Sequence, residues 1–98
     1  MFTGLVEAKG VVERLDPDGD GARLEVRSPL AAELEEGGSI AVNGVCLTAT
    51  SVNGGGFGAD VMAETLERTT LGDAGPGRVV NLEIDVLAKY VEKLAIRP

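Results

Sequence analysis

The chain has no histidine, no tryptophan and a single cysteine among its 98 residues. Without imidazoles and with one thiol, the side chains that usually ligate a transition metal are missing, so no metal site is expected. One cysteine cannot close an internal disulfide, which argues against a cross-linked secreted scaffold. Basic residues are few, nine against sixteen acidic ones, for a net charge of −7. Nucleic acid and anionic membrane both demand a positive footprint, so neither is an expected partner. No apolar run approaches the roughly 20 residues that cross a bilayer. The start, Met1-Phe2-Thr3-Gly4, lacks the basic and hydrophobic regions of a signal peptide. A soluble, cytoplasmic protein is expected. Aromatics make up only 3% of the chain, against an apolar total of 44%. The core of one small domain, residues 1–98, must therefore be built from valine, leucine, isoleucine and alanine.

What is present is organised around Ser39–Thr50, S-I-A-V-N-G-V-C-L-T-A-T. Asn43-Gly44 between two runs of β-formers is the strongest local signal for a two-residue hairpin. Closing that turn pairs Val42 with Val45, Ala41 with Cys46, Ile40 with Leu47 and Ser39 with Thr48. Side chains alternate with period two, and directly paired residues share a face. One face is then Ile40, Val42, Val45, Leu47 and Ala49, an aliphatic core surface. The other is Ser39, Ala41, Cys46, Thr48 and Thr50, small and mildly polar. Such a face is either plain solvent surface or the floor of a pocket.

The remaining elements are short. Gly4 to Arg14 reads as a first strand, with Leu5, Val6, Val11 and Val12 as its aliphatic content and Gly10 as a bulge position. Asp16-Pro17-Asp18-Gly19-Asp20-Gly21 has turn composition. Ala22–Arg27 alternates, with Leu24 and Val26 inward and Glu25 and Arg27 outward. Ser28-Pro29 opens a short helix that Gly37-Gly38 ends. Asn53 to Gly56 is a turn, and Phe57–Met62 a strand with Phe57, Ala59 and Val61 on one face and Gly58, Asp60 and Met62 on the other. Ala63–Gly72 reads as one short helix, Gly75-Pro76-Gly77 as a turn. Val79–Val86 is a strand with Val80, Leu82, Ile84 and Val86 inward and Asn81, Glu83 and Asp85 outward. An amphipathic helix follows from Leu87, with Leu87, Tyr90, Val91 and Leu94 as its stripe. Six short strands are most simply accommodated in an all-β antiparallel barrel, which removes exposed edges.

Four segments together resemble the lumazine-binding domain of the riboflavin synthase family. They are Met1-Phe2-Thr3-Gly4; Ser39 to Thr48; Glu64-Thr65-Leu66 with Thr69-Thr70-Leu71-Gly72; and Val80-Asn81-Leu82-Glu83. The resemblance implies a six-stranded Greek-key barrel that binds 6,7-dimethyl-8-ribityllumazine or riboflavin, with no added cofactor or metal. It also implies self-association, because the family's enzymes carry two barrels in tandem, form trimers and build each site where barrels of two subunits meet. Here one barrel carries both the Met-Phe-Thr-Gly start and an end resembling the family's C-terminal barrel, Val80 to Asp85 through Lys89-Tyr90-Val91-Glu92-Lys93-Leu94. A homo-oligomer, dimer or trimer, is the expectation.

Such a ligand is a flat, neutral ring with a polyol tail, which needs an apolar slot and a few placed donors and acceptors. Carried over by motif, Gly4, Leu5 and Val6, Cys46, Leu47 and Thr48, and Asp60, Val61, Met62, Ala63, Glu64 and Thr65 match the family's ligand-contacting segments. The alternation argument reaches Cys46, Thr48, Asp60 and Met62 independently. Cys46 and Ser39, with Asp60, are the polar groups nearest any chemistry. Each residue also has a plainer reading. A strand cysteine is commonly a small buried hydrophobe, Thr48 and Ser39 are ordinary in strands, and Glu64 suits the positive end of a helix. An inward carboxylate at Asp60, by contrast, demands a partner. Three functions compete: a flavin or lumazine binder; a minimal riboflavin synthase dismutating two dimethylribityllumazine molecules to riboflavin and a pyrimidinedione; and a structural barrel without a ligand.

Overall fold

In the computed structural model, which describes residues 2–85, six strands close into a barrel. They are β1 (Ala8–Asp18), β2 (Gly21–Arg27), β3 (Ser39–Val42), β4 (Val45–Asn53), β5 (Gly56–Val61) and β6 (Val79–Ile84). The order around the barrel is β1-β2-β5-β4-β3-β6, with β6 returning to β1, and every pairing is antiparallel. Strands β3, β4 and β5 are consecutive neighbours, and β6 returns to lie beside β3. That arrangement is a Greek key, so the expected all-β, six-stranded Greek-key barrel is the observed one. Val86 and the amphipathic helix from Leu87 lie outside the described residues.

Alternation builds the interior. Leu24 and Val26, Ile40 and Val42, Leu47 and Ala49, Phe57, Ala59 and Val61, and Val80, Leu82 and Ile84 are all buried. With so few aromatics, the barrel is filled by branched aliphatics that interdigitate at close range. Gly10 belongs to this packing and not to a bulge. A Cβ there would stand 2.6 Å from Val26 Cγ1 and 2.9 Å from Leu82 Cδ1, and the register break in β1 falls between Val12 and Arg14.

The first strand differs from expectation at both ends. It begins at Ala8, leaving Leu5 and Val6 outside it, and runs through Asp18. The turn into β2 shrinks to Gly19-Asp20 because pairing continues through Asp16↔Arg23, Pro17↔Ala22 and Asp18↔Gly21. Pro17 is tolerated because β6 accompanies β1 only from Ala8 to Val11, so the outer half of β1 has β2 alone for a neighbour.

Both short helices are also shorter than expected. Ser28 caps as anticipated, its hydroxyl accepting from the Leu30 amide at 3.2 Å, but the 3-10 helix ends at Glu33. Gly37 and Gly38 instead bond to Ala49 of β4. The segment after β5 splits into α1 (Ala63–Arg68) and a 3-10 turn, Thr70–Asp73. Thr69 makes the break: its hydroxyl donates to the Thr65 carbonyl and accepts from the Leu71 amide, a local alternative to helix continuation. The break turns Leu71 into the barrel, where it is fully buried.

Candidate functional site

The hairpin of β3 and β4 pairs as its sequence requires: Ser39↔Thr48, Ile40↔Leu47, Ala41↔Cys46 and Val42↔Val45. Asn43 and Gly44 take φ of 49° and 81°, the double positive φ of a type I′ turn. Asn43 also seals the tip against β6, its amide donating to the Asn81 carbonyl and its Oδ1 accepting from the Asn81 amide, both at 2.8 Å. On the outward face Cys46, Thr48 and Thr50 are exposed, Ser39 is half-buried and Ala41 is buried.

One flank of that face is covered by residues 3–7, a strap tied to β6. The Thr3 hydroxyl and amide donate to Glu83 Oε2, and the Gly4 amide to Oε1 at 3.0 Å. Further along, the Glu7 amide donates to the Leu82 carbonyl, and Glu7 Oε1 accepts from the Ile84 amide. Glu83 points outward as the alternation requires, and the strap buries it to 6% exposure. The Thr3 hydroxyl bond, followed by the Thr3 and Gly4 amides, holds its carboxyl below the ordinary glutamate range against the opposing effect of desolvation. Between its two ties the strap bows out, with Gly4 at φ 81° and Leu5 and Val6 exposed at 71% and 55%. Gly4, Leu5 and Val6 with Ala41, Gly44 and Glu83 line a narrow crevice of about 50 Å³.

The other flank is α1. Met62, Glu64, Thr65, Arg68 and Thr69 face Val45 across a cleft of about 280 Å³. Met62 is 73% exposed, and Glu64 pairs with Arg68 one turn on at 3.3 Å. Cys46 therefore stands between the flanks: its cross-strand partner Ala41 lines the strap crevice, and its neighbour Val45 lines the α1 cleft. The two crevices lie to either side of the hairpin, the first carrying Leu5 and Val6, the second Val45, Met62, Glu64 and Thr65, and the exposed Thr48 stands on the outward face of β4.

The expected site residues thus divide. Gly4, Leu5 and Val6 gather on the strap flank, Met62, Glu64 and Thr65 on the α1 flank, and Cys46 between them. Ala63 is half-buried at the start of α1. Leu47 and Val61 point into the barrel core at 7% and 2% exposure, so only their backbones are available to a ligand. Ser39 pairs beside Thr48. Asp60 is not an inward carboxylate: its side chain is 66% exposed on the outer surface, yet it has a partner, Arg23, at 3.2 Å. Glu83, though part of a family-resembling segment, and Arg23 had no expected role at the site, because their partners lie far away in the chain. The Glu64–Arg68 spacing was readable as a helical i,i+4 pair. Among the described residues, no group of three or more His, Cys, Asp or Glu side chains could hold a metal ion, and no helix is long and apolar enough to cross a membrane.

The fold defines the class as a closed, six-stranded antiparallel Greek-key β-barrel. The family model described as the lumazine binding domain matches residues 3–85, and the chain belongs to that family. It is 54% identical over 85 residues to riboflavin synthase of Mycobacterium tuberculosis (strain ATCC 25618 / H37Rv), covering 85% of this chain and 42% of that one. Riboflavin synthase of Bacillus subtilis (strain 168) is 42% identical over 84 residues, covering 85% and 39%. The chain thus spans about two fifths of the length of these curated relatives. Among solved structures, LumP complexed with riboflavin superimposes with a TM-score of 0.81 at 27% identity, covering 89% of this chain and 48% of that one. LumP complexed with 6,7-dimethyl-8-(1'-D-ribityl) lumazine gives 0.78 at 28%, covering 86% and 47%.

Proposed function

We propose that this chain binds dimethylribityllumazine or riboflavin in a groove across the β3–β4 hairpin. The observation that carries the reading is the match of residues 3–85 to the lumazine binding domain, supported by the LumP complexes with both ligands. The groove suits such a molecule. Leu5, Val6, Val45 and Met62 offer apolar surface to the ring, the backbones of residues 4–6 and 46–48 face its polar edge, and Thr48, Asp60, Glu64 and Thr65 serve the tail hydroxyls. Only a few placed polar groups are needed for a neutral ligand. Titrating riboflavin and following its fluorescence tests this directly; no change with about 50 micromolar protein would defeat it.

A second reading is favoured by the relatives' own activity, riboflavin synthase. In that reading two identical grooves are opposed by self-association of the chain as a dimer or trimer. Cys46, Ser39 and Asp60 would then be the polar groups nearest the paired rings. Bringing two rings together is the larger part of such catalysis, with proton transfer by modest groups. Incubation with dimethylribityllumazine, with riboflavin as the product sought, separates synthase from binder. Light scattering separates monomer from oligomer; a monomer would leave binding alone.

A further inference from the structure

On the flank away from the strap, Arg23 of β2 lies across the outer face of the sheet. Its Nη1 donates to Asp60 Oδ1 at 3.2 Å and to Thr50 Oγ1, and its Nη2 to Ser51 Oγ at 2.7 Å. Strand β5 lies between β2 and β4, so the side chain must pass over β5. It does so at Gly58: a Cβ there would stand 2.7 Å from Ser51 Oγ and closer still to the guanidinium. Strand β4 adapts as well. Its register with β5 shifts between Ala49 and Ser51, one residue more than a regular ladder holds. Successive strand residues point to opposite faces, whereas this bulge presents Thr50 and Ser51 to one guanidinium.

We infer that Arg23 is a positioning residue of the ligand groove, holding Asp60 and the β4 bulge beside Thr48. The inference rests on the binding role proposed above. A carboxylate as exposed as Asp60 would ordinarily sample several rotamers, and ordering it on binding costs affinity. The planar guanidinium fork fixes it beforehand. One carboxylate oxygen takes the Arg23 bond, and the other is left to accept from a hydroxyl of the ligand's tail. Gly58 is the slot that makes the reach possible.

The test is riboflavin affinity together with urea unfolding for Arg23→Gln, Gly58→Ala, Asp60→Asn and their pairwise combinations. Each single change is expected to weaken binding about tenfold, through lost preorganisation and one lost hydrogen bond. Adding Gly58→Ala or Asp60→Asn to Arg23→Gln should cost little more, because all three remove the same held carboxylate. A purely structural role would lower the urea midpoint and leave these couplings in affinity at zero. Should Arg23→Gln not fold, Gly58→Ala with Asp60→Asn carries the test, since Gly58→Ala keeps every polar group. Wild-type affinity in Arg23→Gln, or losses that multiply independently, would overturn the role of Arg23 alone. A wild-type chain that does not bind riboflavin would overturn the proposed function, and this role with it.

Discussion

The two flanks of the β3–β4 hairpin are fastened by opposite chemistry. On the strap side, carboxylates collect donors: Glu83 accepts from Thr3 and Gly4, and Glu7 from Ile84. On the far side a cation supplies donors, Arg23 serving Asp60, Thr50 and Ser51. The strap is irregular backbone whose position depends on these carboxylate acceptors. The Arg23 knot sits on regular strands that the barrel already holds. Damage to the first should remove a piece of the groove; damage to the second should leave the groove in place with a disordered rim.

The largest expected effect follows from cutting the strap. Glu83→Ala removes the three bonds by which Glu83 holds Thr3 and Gly4, and riboflavin affinity should fall about thirtyfold, the scale of one or two charge-assisted hydrogen bonds. Faster hydrogen exchange at residues 3–6 should accompany it, while unchanged exchange would mean that the strap is held by something else. Next is the tip that both flanks share. Asn43→Ala loses the bond from the Asn81 amide and strains a positive φ, and should cost about 2 kcal/mol by urea unfolding. Loss of binding in Asn43→Ala without loss of stability would contradict this.

Acid sharpens the contrast further. Glu83 has a lowered pKa in the folded chain, so the folded form binds fewer protons than the unfolded one between the two values. The tether's contribution is therefore fully present above the ordinary glutamate pKa of about 4.3 and is lost as pH falls through the lowered folded value. Urea midpoints of the wild type should drop more steeply there than those of Glu83→Gln; parallel curves would remove Glu83 from the account. The smallest effect is expected at the centre, where Cys46→Ser keeps size and exposure and should leave riboflavin affinity within about twofold. A large loss would give the thiol a role that its open position does not indicate.

The parts of the molecule legible in the sequence are those fixed locally. Asn43-Gly44 determines its own turn type, and the turn determines the whole β3–β4 register residue by residue. Period-two alternation likewise oriented β2, β5 and β6 correctly. The parts not legible depend on remote partners. Leu5 and Val6 have strand-like chemistry, yet they bow outward because Glu83 holds Thr3 and Gly4 from 79 to 80 positions away. Alternation assigned Glu83 the correct face without knowing that the strap would cover it. Asp60 was marked as a carboxylate needing a partner, but Arg23 lies 37 positions off and reaches it only because Gly58 leaves room. At the site, the family resemblance named segments only; which side chains face outward from them required the fold.

The seam between β1 and β6 has a kinetic consequence. The hairpins β1–β2, β3–β4 and β4–β5 join near neighbours in the chain, whereas β6 must find β1 and the strap across nearly all of the described residues. Such a closure comes at a high entropic cost and is expected late in folding. The strap, tied to β6, is completed in that same last step, so a partly folded chain has strands but no finished groove. Riboflavin should then slow unfolding while leaving the folding rate unchanged, acting only once the barrel has shut.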